Sequence, residues 1–487
     1  MLFTTPEFFI FLAIVILLIE LIRHHLWQQI ILIVASYFFY WWSGSIHVLL
    51  LAFVTLASWL CGLAVSKAET KKRKKLWLVI GTVIPLAVLA YFKYIDFGLT
   101  QINNILGLIN IDPIPLLNVA LPVGISFFTF QALSYVFDIY LGKLEHEPKF
   151  HRYMLFIAFF PALVAGPIVR ASEFLPQLKE KIHITAENLQ IGVTLIIWGL
   201  FKKMVIADNI GSYVDSIYGN VGANTSLYII GATILFGIQI YCDFSGYAHI
   251  AIGVARIFGF KLPENFNLPY IARNFQDFWR RWHMTLSRFI RDYVYIPLGG
   301  NRKGLVRTYV NLIVAMVLCG FWHGAAWTFI IWGAYHGILQ AIQRFIDRDT
   351  KIGKGTGLFS RFVNSDPGLF VKILVTQALV FFGWMIFRAN SLDDMLVCAQ
   401  KILVFDFNVG TLGKIAIAGA VVCVIVCFAL MFSKRIAGLC KRIITYDYLG
   451  TISKMKIRYW VIYIAVMAAL ILLLCPPETP EFIYFAF

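Results

Sequence analysis

Charge is what this sequence has least of. Of its 487 residues only 14% are Asp, Glu, Lys or Arg, whereas 60% are hydrophobic, and the mean hydropathy is +0.77. That composition excludes an ordinary soluble globular protein and leaves no room for a large soluble domain. Paired cysteines are missing as well. None of the eight Cys forms a C-x-x-C pair and most fall in apolar runs, so neither a zinc site nor any other metal centre nor a disulfide framework is indicated. No basic residue precedes the first apolar run, Arg23 being the first, so Phe8 to Ile22 reads as a retained helix and not as a cleavable signal peptide. Internal repeats are not evident. The formal charge is +16, but the basic residues lie between apolar spans and form no module of their own, which argues against nucleic-acid binding.

What is present is a succession of apolar runs. A membrane-spanning helix needs about 20 such residues, and roughly eleven to thirteen runs, counting re-entrant ones, can be placed. The fold class expected is an all-α polytopic membrane protein. Residues 1–475 form one transmembrane domain, followed by a short tail at 476–487. His24 to Ser66 contains no Asp, Glu, Lys or Arg and is long enough for two helices with a turn at Ser43 to Ser45. Lys67 to Lys75 then carries six basic residues against Glu69 and marks a cytoplasmic loop. Three helices back from that loop, the N-terminus is expected outside. Lys434 to Arg458, with seven basic residues, is expected to be cytoplasmic too, so the last helix, Tyr459 to Cys475, runs outward and the tail emerges on the exterior. Further runs at Leu76 to Phe92, Pro113 to Phe137, Tyr153 to Val169, Asn188 to Phe201, Leu227 to Cys242, Lys372 to Phe387 and Ile415 to Ser433 complete the set. Several are cut by Pro and Gly (ALPVGIS, FFPALVAGPI), as in discontinuous helices beside a cavity or in simple proline kinks.

Chemistry-bearing residues concentrate between Asn265 and Gly337. From Lys261 to Arg307 there are nine basic and three acidic residues. With Asn274 as a cap, Phe278, Trp282, Phe289 and Tyr293 make an apolar stripe from which Arg280, Arg281, Arg288 and Arg291 are excluded, predicting an amphipathic interfacial helix. The guanidinium groups suit a phosphorylated donor or anionic lipid. Thr308 to Gln343 has no charge yet contains His323 and His336 in GFWHG and GAYHG, where small residues allow close helix approach. Histidine exchanges protons near neutral pH. The two are 13 residues apart, about 20 Å and roughly 220° on one straight helix, so they share a site only if the helix breaks. Upstream, Asp243 lies between apolar runs in QIYCDFSGYAHIAIG, either as an intramembrane functional carboxylate or as a helix-end cap beside Ser245 and Tyr247.

NFNLPYIARNFQDFWRRWHMTLSRFIRDYVYIPLGGNRKG, then LCGFWHG, with QIYCDFSGYAHIAIG upstream, together resemble the membrane-bound O-acyltransferases, and among them the bacterial branch that O-acetylates alginate or peptidoglycan or transfers D-alanine to teichoic acid. The resemblance implies a helical fold around a funnel or tunnel open to an acyl donor. It places the catalytic histidine at His323 and a second functional histidine at His283, and leaves His336 to packing. Cytoplasmic acetyl-CoA is the donor it implies, as a substrate and not a bound cofactor. The implied partner is an extracytoplasmic acyltransferase that delivers the group to a cell-envelope polysaccharide, and the implied location is the bacterial cytoplasmic membrane. The tail FIYFAF resembles a C-terminal motif that accompanies the D-alanyl branch, which makes Tyr484 an expected acyl relay. By residue type alone the same tail reads as an aromatic interface anchor. A secondary transporter remains the alternative of another class, suggested by broken helices and buried polar residues.

Overall fold

The computed structural model describes residues 1–164, 166–349, 358–404, 448–477 and 482–483. Every regular element among them is helical. The expected run at 415–433 and Tyr484 lie outside the described residues.

Three helices, α1 (Pro6–Leu21), α2 (His25–Ser43) and α3 (His47–Lys67), precede the basic stretch as expected, but only residues 68–70 of it lie between helices, its other basic residues ending α3 or opening the next helix. Helix α4 (Lys71–Leu108) is capped by the Thr70 hydroxyl, which accepts from the Arg73 amide, and tolerates Pro85 in its interior. It runs 16 residues beyond Phe92, where the apolar pattern suggested an end. The Pro- and Gly-cut runs are indeed discontinuous: α5 (Ile125–Tyr140) begins only after an extended approach, and α6 (Phe150–Ala158) breaks at Phe159 before the single turn α7 (Phe160–Leu163), which starts with Pro161 near its N-terminus. The short α8 (Ala171–Phe174) follows.

Helix α9 (Ala186–Leu200) continues through a π turn at Phe201–Ala207 into α10 (Asp208–Tyr218). It packs against α11 (Ser226–Ile257) almost backbone to backbone. A Cβ on Gly192 would meet the Gly253 carbonyl at 2.6 Å, and one on Gly199 would meet the Gly246 carbonyl at 2.5 Å. Two glycines seven residues apart on each helix bring the main chains together where no hydrophobic drive separates protein from lipid.

Asp243 sits inside the continuous α11, so it does not cap a helix end. Its carboxylate binds Lys203 Nζ at 2.7 Å, and Lys203 also binds Asp208 at 2.7 Å, all three side chains being 1–2% exposed. The second Asp243 oxygen accepts from the Ile483 amide at 2.9 Å. A buried cation thus lies between two carboxylates, one of which holds the chain's tail.

The presumed amphipathic helix is not one helix. Asn274 does cap α12 (Phe275–Trp279), its side chain accepting from the Asp277 amide at 2.7 Å. That helix stops after five residues, α13 (Met284–Ile290) begins after a left-handed residue at His283, and a π turn at Arg291–Tyr295 follows. Phe278, Trp282 and Phe289 are buried inside the protein, so the apolar stripe faces core, not lipid. After it come α14 (Leu305–His323) and α15 (Trp327–Asp349), then α16 (Leu358–Val363), α17 (Asp366–Arg388), α18 (Leu392–Leu403), α19 (Tyr448–Ser453) and α20 (Ile457–Leu474). Gly320, Gly333 and Gly337 make the close contact between α14 and α15 that the sequence suggested, Gly333 lying against the Met316 carbonyl and Gly337 against Ile313. Among the described residues α3, α4, the α9–α10 unit, α11, α14, α17 and α20 are long and apolar enough to cross a membrane. The chain is an all-α polytopic membrane protein.

Candidate functional site

His323 is the last residue of α14, and the chain breaks at Gly324 to Ala326 before α15. The break is what lets residues of both helices converge. His323 is 3% exposed and boxed by rings, with Trp322 at 5.0 Å, Trp332 at 5.2 Å and Phe387 at 5.4 Å between centroids. The His283 ring lies 6.5 Å away. His336 is also buried but stands on the far side of Trp332, 5.0 Å from that ring and 5.4 Å from Trp279, within an aromatic cluster. The two histidines that the structure brings together are therefore His323 and His283.

His283 occupies the joint between α12 and α13 with φ 42° and ψ 55°, a left-handed conformation uncommon for residues other than Gly, though less so for Asn, Asp and His, and often found where function demands it. Asn265 holds it there from 18 residues upstream. The Asn265 carbonyl accepts from the Met284 amide at 2.9 Å, and its side-chain oxygen accepts from the Thr285 hydroxyl at 2.6 Å and the Thr285 amide at 3.3 Å. An atom that accepts from a backbone N–H must be the oxygen of the amide, so the His283 Nδ1 lying 3.3 Å from it is the donor. The protonated nitrogen of the neutral ring is thereby assigned to Nδ1. Nε2 keeps its lone pair, and it has no hydrogen-bond partner among the described residues.

The surroundings are rich in donors. Trp279, Trp322, Trp332 and Trp384 are buried, and none of their indole N–H groups has an acceptor among the described residues. Buried unpaired donors are rare enough to need a reason. Trp322 packs against both imidazoles and Trp332 against His323, while Trp279 and Trp384 stand behind them against Trp332.

A cavity of about 500 Å³ adjoins this aromatic cluster through Trp279, and neither His323 nor His283 lines it. Arg280, Arg288, Arg291 and Arg344 line it together with Trp279, and Leu312, Met316 and Cys319 of α14 form its apolar wall. Cys319 is one helical turn, about 6 Å of rise, before His323. Trp279, which lines the cavity, lies 5.7 Å from Trp332 of the aromatic cluster. Three of the four expected arginines thus share the cavity. Arg281 does not line it: its guanidinium is held by Asp277 at 2.8 Å and the Asn267 carbonyl at 3.2 Å. Arg288 approaches Glu173 at 3.4 Å, and Arg291 binds Asp292 at 2.7 Å. Burial alone would raise the Asp292 carboxyl, but hydrogen bonds from Arg291 and Arg170 outweigh it and hold the group below the usual carboxylate range. Arg280 and Arg344 have no carboxylate partner among the described residues. Arg344 was not singled out in the sequence because it lies one residue past the uncharged run, and only the return of α15 toward α12 brings it to Arg280.

The tail reaches the same neighbourhood. Phe482 is fully buried, 4.2 Å from the Tyr247 ring and 5.9 Å from Phe244, and Phe244 stands edge-on to His283 at 4.7 Å. A polytopic helical protein with paired buried imidazoles, unpaired indole donors and an arginine-lined cavity has the features of a membrane group-transfer enzyme.

Residues 32–352 match the membrane-bound O-acyltransferase family, and the chain belongs to it. It is 39% identical to a probable alginate O-acetylase of Pseudomonas aeruginosa over 71% of this chain, spanning 64% of that relative's length. It is likewise 39% identical to a peptidoglycan O-acetyltransferase of Helicobacter pylori, over 71% of this chain and 68% of that protein. With the teichoic acid D-alanyltransferase of Bacillus subtilis it shares 31% identity over 55% of this chain and 69% of the other.

Proposed function

We propose that this protein is an O-acyltransferase of the bacterial cytoplasmic membrane, and that it takes an acetyl group from cytoplasmic acetyl-CoA and passes it outward for O-acetylation of peptidoglycan or an exopolysaccharide. The observation that carries this reading is the pairing of the buried His323 and His283 rings, 6.5 Å apart, in the aromatic cluster whose Trp279 also lines the arginine cavity. Arg280, Arg288, Arg291 and Arg344 are suited to the phosphates of a nucleotide thioester, and the apolar wall from Leu312 to Cys319 to the arm that carries the acyl group. Acetyl is favoured over D-alanyl because the O-acetylating relatives are more similar to this chain over more of its length.

Transfer from a thioester to a hydroxyl forms an acyl C–O bond and breaks the C–S bond. The hydroxyl proton passes to a base, the thiolate departs, and the proton is returned to it. His323 serves as the base. The indole N–H groups of Trp322 and Trp332 are available to the oxygen on which negative charge develops, and the ring box excludes water that would hydrolyse the thioester. His283, with its lone pair on Nε2, orients the acceptor hydroxyl. Tyr484 is the proposed acceptor within the chain. Its neighbour Ile483 is tied to Asp243, and a phenol of pKa near 10 leaves an ester that is still activated for onward transfer. A separate extracytoplasmic enzyme then delivers the group to the polysaccharide.

In proteoliposomes supplied with labelled acetyl-CoA on the cytoplasmic side, label is expected on protein or acceptor, and His323→Ala is expected to lower its appearance by about 100- to 10,000-fold. Label crossing as intact CoA would identify a transporter instead. Mass spectrometry of the C-terminal peptide tests the relay: acyl-Tyr484 should be present in the wild type and missing in Tyr484→Phe.

A further inference from the structure

The final carbonyls of an α-helix have no amide of their own to accept from and carry the negative end of the helix dipole. On α14 these carbonyls belong to the residues that carry the site. Two consecutive side chains of α4 take three of them. Tyr94 Oη donates to the Phe321 carbonyl at 2.9 Å, and Lys93 Nζ donates to the Trp322 and His323 carbonyls at 2.8 Å each. The Tyr94 ring stacks on Phe321 at 4.2 Å between centroids with an 18° angle, and the Lys93 ammonium lies 6.0 Å from the centre of the Trp322 ring.

A lysine within a membrane-spanning helix is costly and is kept where it has a task. Lys93 is half-buried on α4, a helix that otherwise packs chiefly on α3 and α5. Its charge meets the one helix end at which a cation is favoured. The clamp acts at the position where α14 stops and the chain turns at Gly324 toward α15, so the backbone next to His323 has no further helical turn to steady it. Holding the carbonyls of residues 321, 322 and 323 sets the direction in which both the Trp322 indole and the His323 imidazole leave the main chain.

We propose that Lys93 is a positioning residue for the acyl transfer, and that with Tyr94 it fixes His323 and Trp322 against the reacting thioester without touching it. This rests on His323 being the base. The clamp adds transition-state alignment and takes no part in donor binding, since neither Lys93 nor Tyr94 lines the arginine cavity.

The test compares kcat with KM for acetyl-CoA in purified, reconstituted protein carrying His323→Ala, Lys93→Met, Lys93→Arg or Tyr94→Phe. Misaligning reacting groups by about 1 Å costs up to about 100-fold in rate. Lys93→Met is therefore expected to lower kcat by about 10- to 100-fold with KM within about twofold, and Lys93→Arg, which keeps a cation and several donors, to recover most of the loss. Tyr94→Phe should lower kcat by a few-fold, again without moving KM. If His323→Ala retains full activity, the underlying assignment of the base fails. If His323→Ala is inactive and folded Lys93→Met keeps wild-type kcat, or loses activity only through KM, the clamp is overturned. Should Lys93→Met not fold, wild-type kcat in Tyr94→Phe would overturn it, whereas a lowered kcat at constant KM would support it.

Discussion

At the scale of single residues, the site depends on Asn265, Lys93 and Tyr94, which hold other residues in place. Asn265 is the first. It accepts from Thr285 and His283, and its carbonyl accepts from Met284, so Asn265→Ala removes the side-chain support of the left-handed turn and leaves buried Thr285 groups unpaired. Each buried group left without a partner costs about 1–3 kcal/mol. The expected result is a lower thermal midpoint in detergent together with a fall in kcat, whereas Thr285→Ala, which also removes the acceptor of the Ile168 amide, should lower the midpoint but spare kcat more, because His283 keeps its acceptor. The arginines separate in the same way. Arg280→Ala and Arg344→Ala should each raise KM for acetyl-CoA by about 10- to 100-fold, the worth of a charged hydrogen bond, with kcat little changed. Arg281→Ala should leave KM within about twofold, because Arg281 is engaged by Asp277 and lies outside the cavity lining. Steady-state kinetics with each variant would check the set.

At the scale of helices, what matters is how closely main chains approach and where they break. Gly199 faces the Gly246 carbonyl. Overpacking costs about 1–3 kcal/mol, so Gly199→Ala should reduce the folded fraction, measured by size-exclusion chromatography of a fluorescent fusion. Gly231, which would meet nothing within 4 Å, should accept Ala without that loss. The close approach at GFWHG and GAYHG could be read from the sequence because small residues at such spacings have a direct steric meaning. The break at His283 could not. Arg-Trp-His-Met contains neither Gly nor Pro, and the apolar residues around it keep helical spacing right through the joint. The turn is imposed by Asn265, a contact made across sequence, so local periodicity pointed to one amphipathic helix where there are two short ones with a buried stripe. Lys93 was missed for a related reason: the apolar run ends at Phe92, and a polar residue just beyond a run reads as a helix end until its partner, the end of α14, is in place.

At the scale of the whole molecule, residues 482 and 483 of the tail join the buried side of α11. The Lys203 ammonium lies between Asp208 and Asp243, and Asp243 receives the Ile483 amide. Ile483→Pro deletes that amide and should detach the tail, whereas Ile483→Ala keeps it. The first variant is expected to lose most onward transfer to the extracellular acceptor while the protein stays inserted, and the second to retain it. Proteolytic release of a C-terminal epitope would report the detachment directly. Asp243→Ala should be harsher than either, because it also strips a buried lysine of one counter-charge, and breaking a buried pair costs about 3–5 kcal/mol.

Membership of the bilayer follows from composition alone, because about 20 consecutive apolar residues have nowhere else to go. The family resemblance also singled out the histidines of the W-H motifs. Their pairing was another matter. His323, His283, Lys93, Asn265 and Phe482 are spread over almost 400 residues, and nothing local to any of them specifies the other four. Helix ends, unlike helix interiors, leave donors and acceptors to be satisfied from elsewhere, and here that elsewhere is Lys93, Tyr94 and Asn265. Which imidazole meets which, and on which ring nitrogen the lone pair remains, is therefore settled by packing between distant segments.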